Sequence, residues 1–587
     1  MVMVKRSWRF AGASFSNEGI HMIECKKVSF TYETPQYDSS SNNHSINTQK
    51  SSSASQEHAL DSVSFTLEPG SRVVVVGSNG SGKSTLANMC NASLLPQSGE
   101  VLVDGNATSN VPSTQISSLV GMVRQDPASQ IVSTTVFEEV AFGPANVGLP
   151  KNEIVSRVTH TLELCGISEL LLSQTTALSG GQQQLVAVAA ALSLQPHYLV
   201  LDEAFAQLDT RYRNHLSRLI DTLVTQQSVG VLEISHSFES IPGAQQVLVL
   251  DKGRIVWRGS PTEFFKDSSV LKIAGFTDAL SLTAHMAACF GYNFDAPFNL
   301  SLFVSFLVEH NLLFEALDTL VYHQALQVVR ANNYDGYAFC GEVHELVLKD
   351  VCKSFDVPLL KNISFTTTSE LVILVGPSGS GKSTCARIAA GLIACDSGQT
   401  FLDGRSIEAG AVGICFQRPQ DQLFAQSVFE DIAFAPANKG FSPEETHDIV
   451  ETAAQKVGVD RAWWNKSPLM LSGGQARRVA LAGTLACATN AYIFDEATSG
   501  LDGAARMQVL QLARDLVNDG KVVLAITHDV SEWLPYADRV VFLDNGSISS
   551  QVSALEAQVN PQVYEQAHLD CPLYVKVVSA VLEACHG

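Results

Sequence analysis

Short unbroken apolar runs, each followed by sequence with helical spacing, recur along the chain and predict buried, largely parallel strands alternating with helices. VVVV (73–76) and LVILV (371–375) are two such runs, and each leads into a glycine-rich turn where a helix should start. Each is preceded by β-rich sequence, which in the first case begins with IECKKVSFTY after Met22. Residues 271–343 read as helical and acidic, and a shorter helical tail closes the chain at 551–587. DSSSNNHSINTQKSSSASQE (38–57) breaks the pattern; its composition is that of a flexible loop or hairpin tip.

The pattern is written twice. GSNGSGKST (77–85) recurs as GPSGSGKST (376–384), VRQDP (123–127) as CFQRP (415–419), LSGGQ at 178 as LSGGQ at 471, and LVLDEA (199–204) as YIFDEA (492–497). Several motifs at near-constant spacing identify a tandem repeat more firmly than any one match. The second copy is about seven residues shorter between its first two motifs. The expected organisation is a tail at 1–21, a first α/β domain at 22–270 carrying the 38–57 insert, a helical linker at 271–343, a second domain at 344–550 and a C-terminal helical extension at 551–587.

Length agrees, because 587 residues exceed what one compact core sustains. Hydrophobic residues at 45% and charged ones at 17% fit a globular protein. A formal charge of −21 disfavours nucleic acid as the main partner. The twelve cysteines form no C-x-x-C pair, so reduced thiols in a cytosolic protein are expected rather than a zinc site or disulfide framework. The apolar stretches 280–294 and 296–308 end near Asp295 and Glu309, short of a membrane span. MVMVKRSWRF lacks the apolar run of a signal peptide.

G-x-x-G-x-G-K-S after a strand is a phosphate-binding loop: glycines let backbone N–H groups wrap an anion at the start of a helix. In the first copy Gly77, Ser78, Asn79, Gly80, Ser81, Gly82, Lys83, Ser84 and Thr85 form it; in the second, Gly376, Pro377, Ser378, Gly379, Ser380, Gly381, Lys382, Ser383 and Thr384. Lys83 and Lys382 should reach the β- and γ-phosphates of ATP, and Ser84 and Ser383 should ligate Mg²⁺. Asp202 and Asp495 end buried strands, where a carboxylate meets the magnesium shell, and Glu203 and Glu496 are placed to polarise an attacking water. His236 and His528 close further apolar strands and are expected at the γ-phosphate.

Together these residues resemble the nucleotide-binding domains of ABC ATPases, over nearly all of both copies. The resemblance implies an α/β fold of tandem P-loop NTPase domains, each with a mainly parallel core sheet, a β-rich subdomain and an α-helical signature subdomain. LSGGQ is the family signature, and it implies that Ser179, Gly180, Gly181 and Gln182, or Ser472, Gly473, Gly474 and Gln475, grip the ATP held by the opposite copy's loop. One composite site would join Lys83, Ser84, Asp202, Glu203 and His236 to Ser472 and Gly474. The other would join Lys382, Ser383, Asp495, Glu496 and His528 to Ser179 and Gly181. Gln125 and Gln417 would sense the γ-phosphate and complete the Mg²⁺ shell, while Tyr32 and Phe355 would stack on adenine. Departures fall in the first copy: Gln184 and Leu185 stand opposite Arg477 and Arg478, and Ala206 replaces the hydroxyl of Ser499. Because the family uses these elements across its dimer interface, unequal sites are expected, the one centred on Lys382 being weaker.

DPASQIVSTTVFEEVAFGPANVG (126–148) and RPQDQLFAQSVFEDIAFAPANKG (418–440) resemble the x-P-D-x-Q stretch of energy-coupling factor (ECF) transporter ATPases. Pro419, Asp421 and Gln422 fit it fully; in the first copy Ser129 replaces the acid between Pro127 and Gln130. That resemblance implies a transmembrane coupling subunit and a substrate-binding membrane subunit as partners, import of a vitamin or metal ion, and a place on the cytoplasmic face of the membrane. A soluble twin ABC protein acting on ribosomes or nucleic acid is the alternative, but residues 265–345 hold only Lys266, Lys272 and Arg330 against nine acids. A small-molecule kinase would leave both LSGGQ turns unexplained.

Overall fold

The computed structural model describes residues 21–32, 58–205, 208, 210–322, 343–355, 357–377, 379–499, 501–527 and 529–586. The 38–57 insert, Ala206, Ser378 and His528 therefore lie outside the described residues, as do 1–20 and 323–342.

Each copy contains two sheets. In the first, an antiparallel sheet has the order Leu60–Leu67, Ile23–Phe30, Ser98–Val103, Asn106–Ala107. A six-stranded sheet has the order Arg254–Gly259, Gln246–Asp251, Arg72–Val76, Gly230–Ile234, Tyr198–Asp202, Val120–Val123. Its strands pair in parallel except for the hairpin between Gln246–Asp251 and Arg254–Gly259. The second copy repeats both orders, with Leu371–Val375 and Ala491–Asp495 in the places of Arg72–Val76 and Tyr198–Asp202. Central strands of such a sheet are covered on both faces, which is why they read as unbroken apolar runs: every residue of Arg72–Val76, Leu371–Val375, Tyr198–Asp202 and Ala491–Asp495 is buried.

The seven residues missing from the second copy have a physical counterpart. Between Asn106–Ala107 and Val120–Val123 the first copy inserts the helix Ser113–Leu119; the second passes from Arg405–Ser406 to Gly413–Cys415 without one.

By their internal contacts the described residues fall into two units, one holding residues up to 176 with 183–204 and 217–275, the other 177–182, 205–216 and 276–587. Residues 276–322 follow the first copy in sequence yet belong to the second unit. There the helices Leu300–Glu309 and Leu313–Leu317 pack on the C-terminal helix Leu573–His586, and the Tyr574 hydroxyl donates to the Leu320 carbonyl at 2.7 Å. The C-terminal extension is thus a packing element. Among the described residues no helix is long and apolar enough to cross a membrane.

Candidate functional site

In the first copy the chain leaves Arg72–Val76 and turns at Gly77, whose φ of 149° brings the backbone so close to the Leu250 carbonyl that a Cβ would lie 2.1 Å from it. Gly80, at φ 81°, faces open space, and Gly82, at φ 102°, starts the helix Lys83–Cys90. Lys83 is buried and its Nζ donates to the Gly77 and Ser78 carbonyls at 2.8 and 2.9 Å. The second loop repeats this: Lys382 Nζ donates to Gly376 and Pro377 at the same two distances, and a Cβ on Gly376 would lie 2.1 Å from the Leu543 carbonyl. The buried hydroxyls of Ser81 and Ser380 have no hydrogen-bond partner. A curled loop with an ammonium at its centre, an orphaned buried hydroxyl and a glycine facing open space fits a polyphosphate.

Next to each loop lies an oxygen pair suited to Mg²⁺. Ser84 Oγ donates to Asp202 Oδ1 at 3.1 Å, and Ser383 Oγ to Asp495 Oδ1 at 3.3 Å. Burial, followed by the nearby Glu496, pushes the Asp495 carboxyl up to about 6. Burial is also the main cause at Asp202; the Ser84 hydroxyl opposes it and Glu203 adds to it, leaving the carboxyl at about 6. With the folded value above the ordinary 3.8, the folded state binds the proton more tightly. Stability from these groups is complete below about pH 4 and is lost as pH rises through about 6. In Mg-free, nucleotide-free protein, Asp202→Asn should raise the Tm by roughly 2–4 °C over the parent at about pH 8 and leave it level at about pH 4, as calorimetry would read.

Glu203 and Glu496 both sit in the left-handed region at φ 51°, costly for a side chain with a Cβ and repeated in both copies. Their amides donate to Ile234 and Ile526 of the adjacent strands, which fixes the turn. Gln125 Nε2 donates to Glu203 Oε2 and Gln417 Nε2 to Glu496 Oε2, each at 2.7 Å. The other Glu203 oxygen lies 3.2 Å from His236 Nε2. Each glutamate is thus oriented by the glutamine of a neighbouring loop, an arrangement able to hold and deprotonate a water. Tyr32, 55% exposed, places its hydroxyl 3.2 Å from Thr85 Oγ1 at the first loop's helix. Phe355, 61% exposed, has Lys353 Nζ 5.7 Å from its ring centre.

The signature turns are helix N-termini. Ser179 and Gln182 cap each other reciprocally at 3.0 and 3.3 Å before Gly180–Ser193, and Ser472 and Gln475 do so at 3.0 and 3.4 Å before Gly473–Ala486. Glycines at the next two positions leave N–H groups uncovered, and nothing lies within 4 Å of a Cβ built on Gly473. Within the second unit, Ser179 and Gln182 line a cleft of about 460 Å³ together with Arg211, Gly376, Gly379 and Thr527.

Gln184 and Arg477, set opposite each other by the repeat, are both buried and tie the signature helix to the glutamine loop of their own copy. Arg477 donates to the Phe416 carbonyl at 2.6 Å and also to that of Gln417, whereas Gln184 makes one bond of 3.2 Å to Arg124 and leaves its Oε1 without a partner.

Sequence reading also missed how the segment after each glutamine loop is held. Gln130 and Gln422 brace the strand before the loop, accepting from the amides of Arg124 and Phe416. The buried carboxylate of Glu139 accepts from the amides of Val132 and Ser133 at 2.9 and 2.8 Å, and Asp431 accepts from Phe424 and Ala425 at 3.0 and 2.8 Å. Pinned this way, Val132 and Phe424 stay 67% and 65% exposed, and at equivalent positions of the following helices Phe142 and Phe434 stay 52% and 50% exposed. The matched acids in VFEEV and VFEDI were the available signal.

The ABC transporter family model matches residues 60–206 and 360–499. A putative ABC transporter ATP-binding protein of Methanosarcina acetivorans is 30% identical over 543 residues, covering 88% of this chain and 86% of the relative. One from Bifidobacterium longum is 32% identical over 511 residues, covering 82% of this chain but 62% of its own length. CbiO1 of Clostridium perfringens, described as part of the ABC transporter complex CbiONQ, shares 28% identity over 46% of this chain and 98% of its own, with a TM-score of 0.36. The chain belongs to the ABC transporter ATP-binding proteins and carries two copies of the ATPase domain.

Proposed function

We propose that this chain is the ATP-hydrolysing motor of an ABC importer of the ECF type, driving uptake of a vitamin or metal ion through a transmembrane coupling subunit and a substrate-binding membrane subunit. The observation that carries the importer reading is the exposed pair Val132 and Phe142, repeated as Phe424 and Phe434, where the two rings meet edge to face at 4.7 Å. Large apolar side chains held exposed by buried carboxylates suit a partner's apolar helix, not water.

In this reading ATP lies along the loop, its phosphates taking the amides and the Lys83 or Lys382 ammonium now spent on backbone carbonyls. Ser84 with Asp202, and Ser383 with Asp495, would hold Mg²⁺, which supplies charge neutralisation at the β- and γ-phosphates. Glu203 and Glu496 polarise the attacking water. The second unit's cleft, lined by Ser179 and Gln182 with Gly376 and Gly379, supports a role for the first signature turn at the Lys382 loop, where a helix N-terminus favours an anion. Gln125 and Gln417 touch the catalytic glutamates and open the segments that lead to the apolar pairs, so a change at the phosphate has a short covalent path to the partner face.

Phe424→Asp combined with Phe142→Asp should reduce copurification of membrane proteins by at least about tenfold while basal ATP turnover stays within about twofold. Ribosomes or nucleic acid in the parent's eluate, with no membrane protein, would establish the soluble alternative instead.

A further inference from the structure

On the first copy, away from the nucleotide loop, three metal-ligating side chains from three elements converge. His197 Nδ1 lies 2.8 Å from Asp104 Oδ2, and His21 Nδ1 lies 3.5 Å from Asp104 Oδ1; the three ligand atoms all fall within 4.8 Å of one another. We propose that His21, Asp104 and His197 form a binding site for a transition-metal dication of the zinc or cobalt class.

The geometry is close to what such an ion needs. With bonds of about 2.0–2.1 Å, the ligand atoms of a tetrahedral zinc stand roughly 3.3 Å apart; the spacings of 2.8 and 3.5 Å, to the two Asp104 oxygens, lie near that value, and since no pair exceeds 4.8 Å the widest must close by at most about 1.5 Å. Two imidazoles and one carboxylate select borderline metals over magnesium or calcium. The carboxylate is held from behind: the hydroxyl of fully buried Tyr198 donates to Asp104 Oδ1 at 2.6 Å, an outer-shell bond of the kind that fixes a ligating carboxylate.

The backbones are fixed as well. Asp104 sits at φ 48° in the Asp-Gly turn between Ser98–Val103 and Asn106–Ala107, and its amide donates to the Met22 carbonyl beside His21. His197 is anchored by its amide to Leu119 and by its carbonyl to the Gly230 amide. The Asp104 side chain is 7% exposed and that of His21 62%, so the cluster is closed on the protein side and open to solvent where a fourth ligand or water would sit.

The second copy is an internal control. His344 Nδ1 lies 2.9 Å from Asp403 Oδ2, and Asp403 at φ 52° donates its amide to Glu345, reproducing the His21–Asp104 half. In place of His197 stands Asn490, whose amide nitrogen faces Asp403 Oδ2 at 3.2 Å, and Lys521 Nζ brings a positive charge 2.9 Å from the Asn490 oxygen. The first copy has Val229 at the position of Lys521, because Gly230 donates to the His197 carbonyl as Val522 does to that of Asn490. The scaffold is shared, while the third ligand and the absence of the lysine belong to the first copy. A bound ion would tie the antiparallel sheet to the start of Tyr198–Asp202, the strand that ends in the catalytic acids, and this proposal stands independently of the importer reading.

The test is cobalt titration of the tag-free full chain, without nucleotide and with excess Mg²⁺. The expected result is one Co²⁺ per chain with the intense visible band of a tetrahedral site, displaced by Zn²⁺. His21→Ala, on an exposed side chain, and His197→Asn, which copies the second copy, should each weaken binding by at least about tenfold. His285→Ala with Cys289→Ser, a pair 3.9 Å apart elsewhere in the chain, should leave binding unchanged. Unaltered Co²⁺ uptake in both histidine variants, loss of uptake in the His285/Cys289 variant, or no uptake by the parent would each overturn the proposal and leave the cluster a hydrogen-bonded turn.

Discussion

Glu203→Gln should lower steady-state ATP turnover by at least about tenfold, whereas Glu496→Gln should cost less than about threefold. Both glutamates are held alike by a glutamine at 2.7 Å, so the difference must come from elsewhere. It lies in the two signature helices. The second is clamped to its glutamine loop by two charge-assisted bonds from Arg477, the first by a single neutral bond from Gln184. Bonds to a charged group contribute about 1.5–3 kcal/mol each against roughly 1 for a neutral one, and Gln184 also leaves a buried oxygen unmatched. The cleft at the Lys382 loop is lined by the more weakly tied turn, at Ser179 and Gln182, so hydrolysis there should be slower and Glu203 should carry most of the flux. Single-turnover rates of the two variants decide it; equal losses would remove the case for unequal sites.

Gly77→Ala and Gly376→Ala should each abolish nucleotide binding at their own loop, with affinity falling by at least about a hundredfold, equivalent to roughly 3 kcal/mol. The added methyl would stand 2.1 Å from a backbone carbonyl, of Leu250 or Leu543, and neither can yield without breaking the central sheet. Gly80→Ala is the matched control: at φ 81° it costs about 1–2 kcal/mol of strain, but no atom lies within 4 Å, so the fold should persist with a Tm only a few degrees lower. Titration with a fluorescent ATP analogue, read beside the melting curve, separates a displaced loop from an unfolded domain.

The tandem architecture and the phosphate loops were legible because they depend on short spacing rules: an apolar run, glycines at fixed intervals, a lysine, then an acid closing another apolar run. Tyr198–Asp202 and Ala491–Asp495 declare themselves through composition alone, since both faces are buried. The bonds of Gln184 and Arg477 to their own glutamine loops were hidden for the converse reason. Both residues lie in the first turns of helices that open GGQQQ and GGQARR, where polar residues stand side by side and spacing does not say which of them meets the glutamine loop. The role of Glu139 and Asp431 was hidden because a carboxylate in a helix's first turn also reads as an ordinary response to the helix dipole. Recruitment of 276–322 to the second unit depends on a pairing with helix Leu573–His586, some 250 residues away, that no local pattern encodes.

That pairing bears on how the polypeptide could be divided. A cut at the homology boundary near residue 343 would strip the C-terminal helix of Leu300–Glu309 and Leu313–Leu317, which pack on it, and would take the Leu320 carbonyl from the buried Tyr574 hydroxyl. A break just before Phe276 would instead keep both sides of that hydrophobic joint on one fragment, which makes it the sounder place for a split-gene version of this protein.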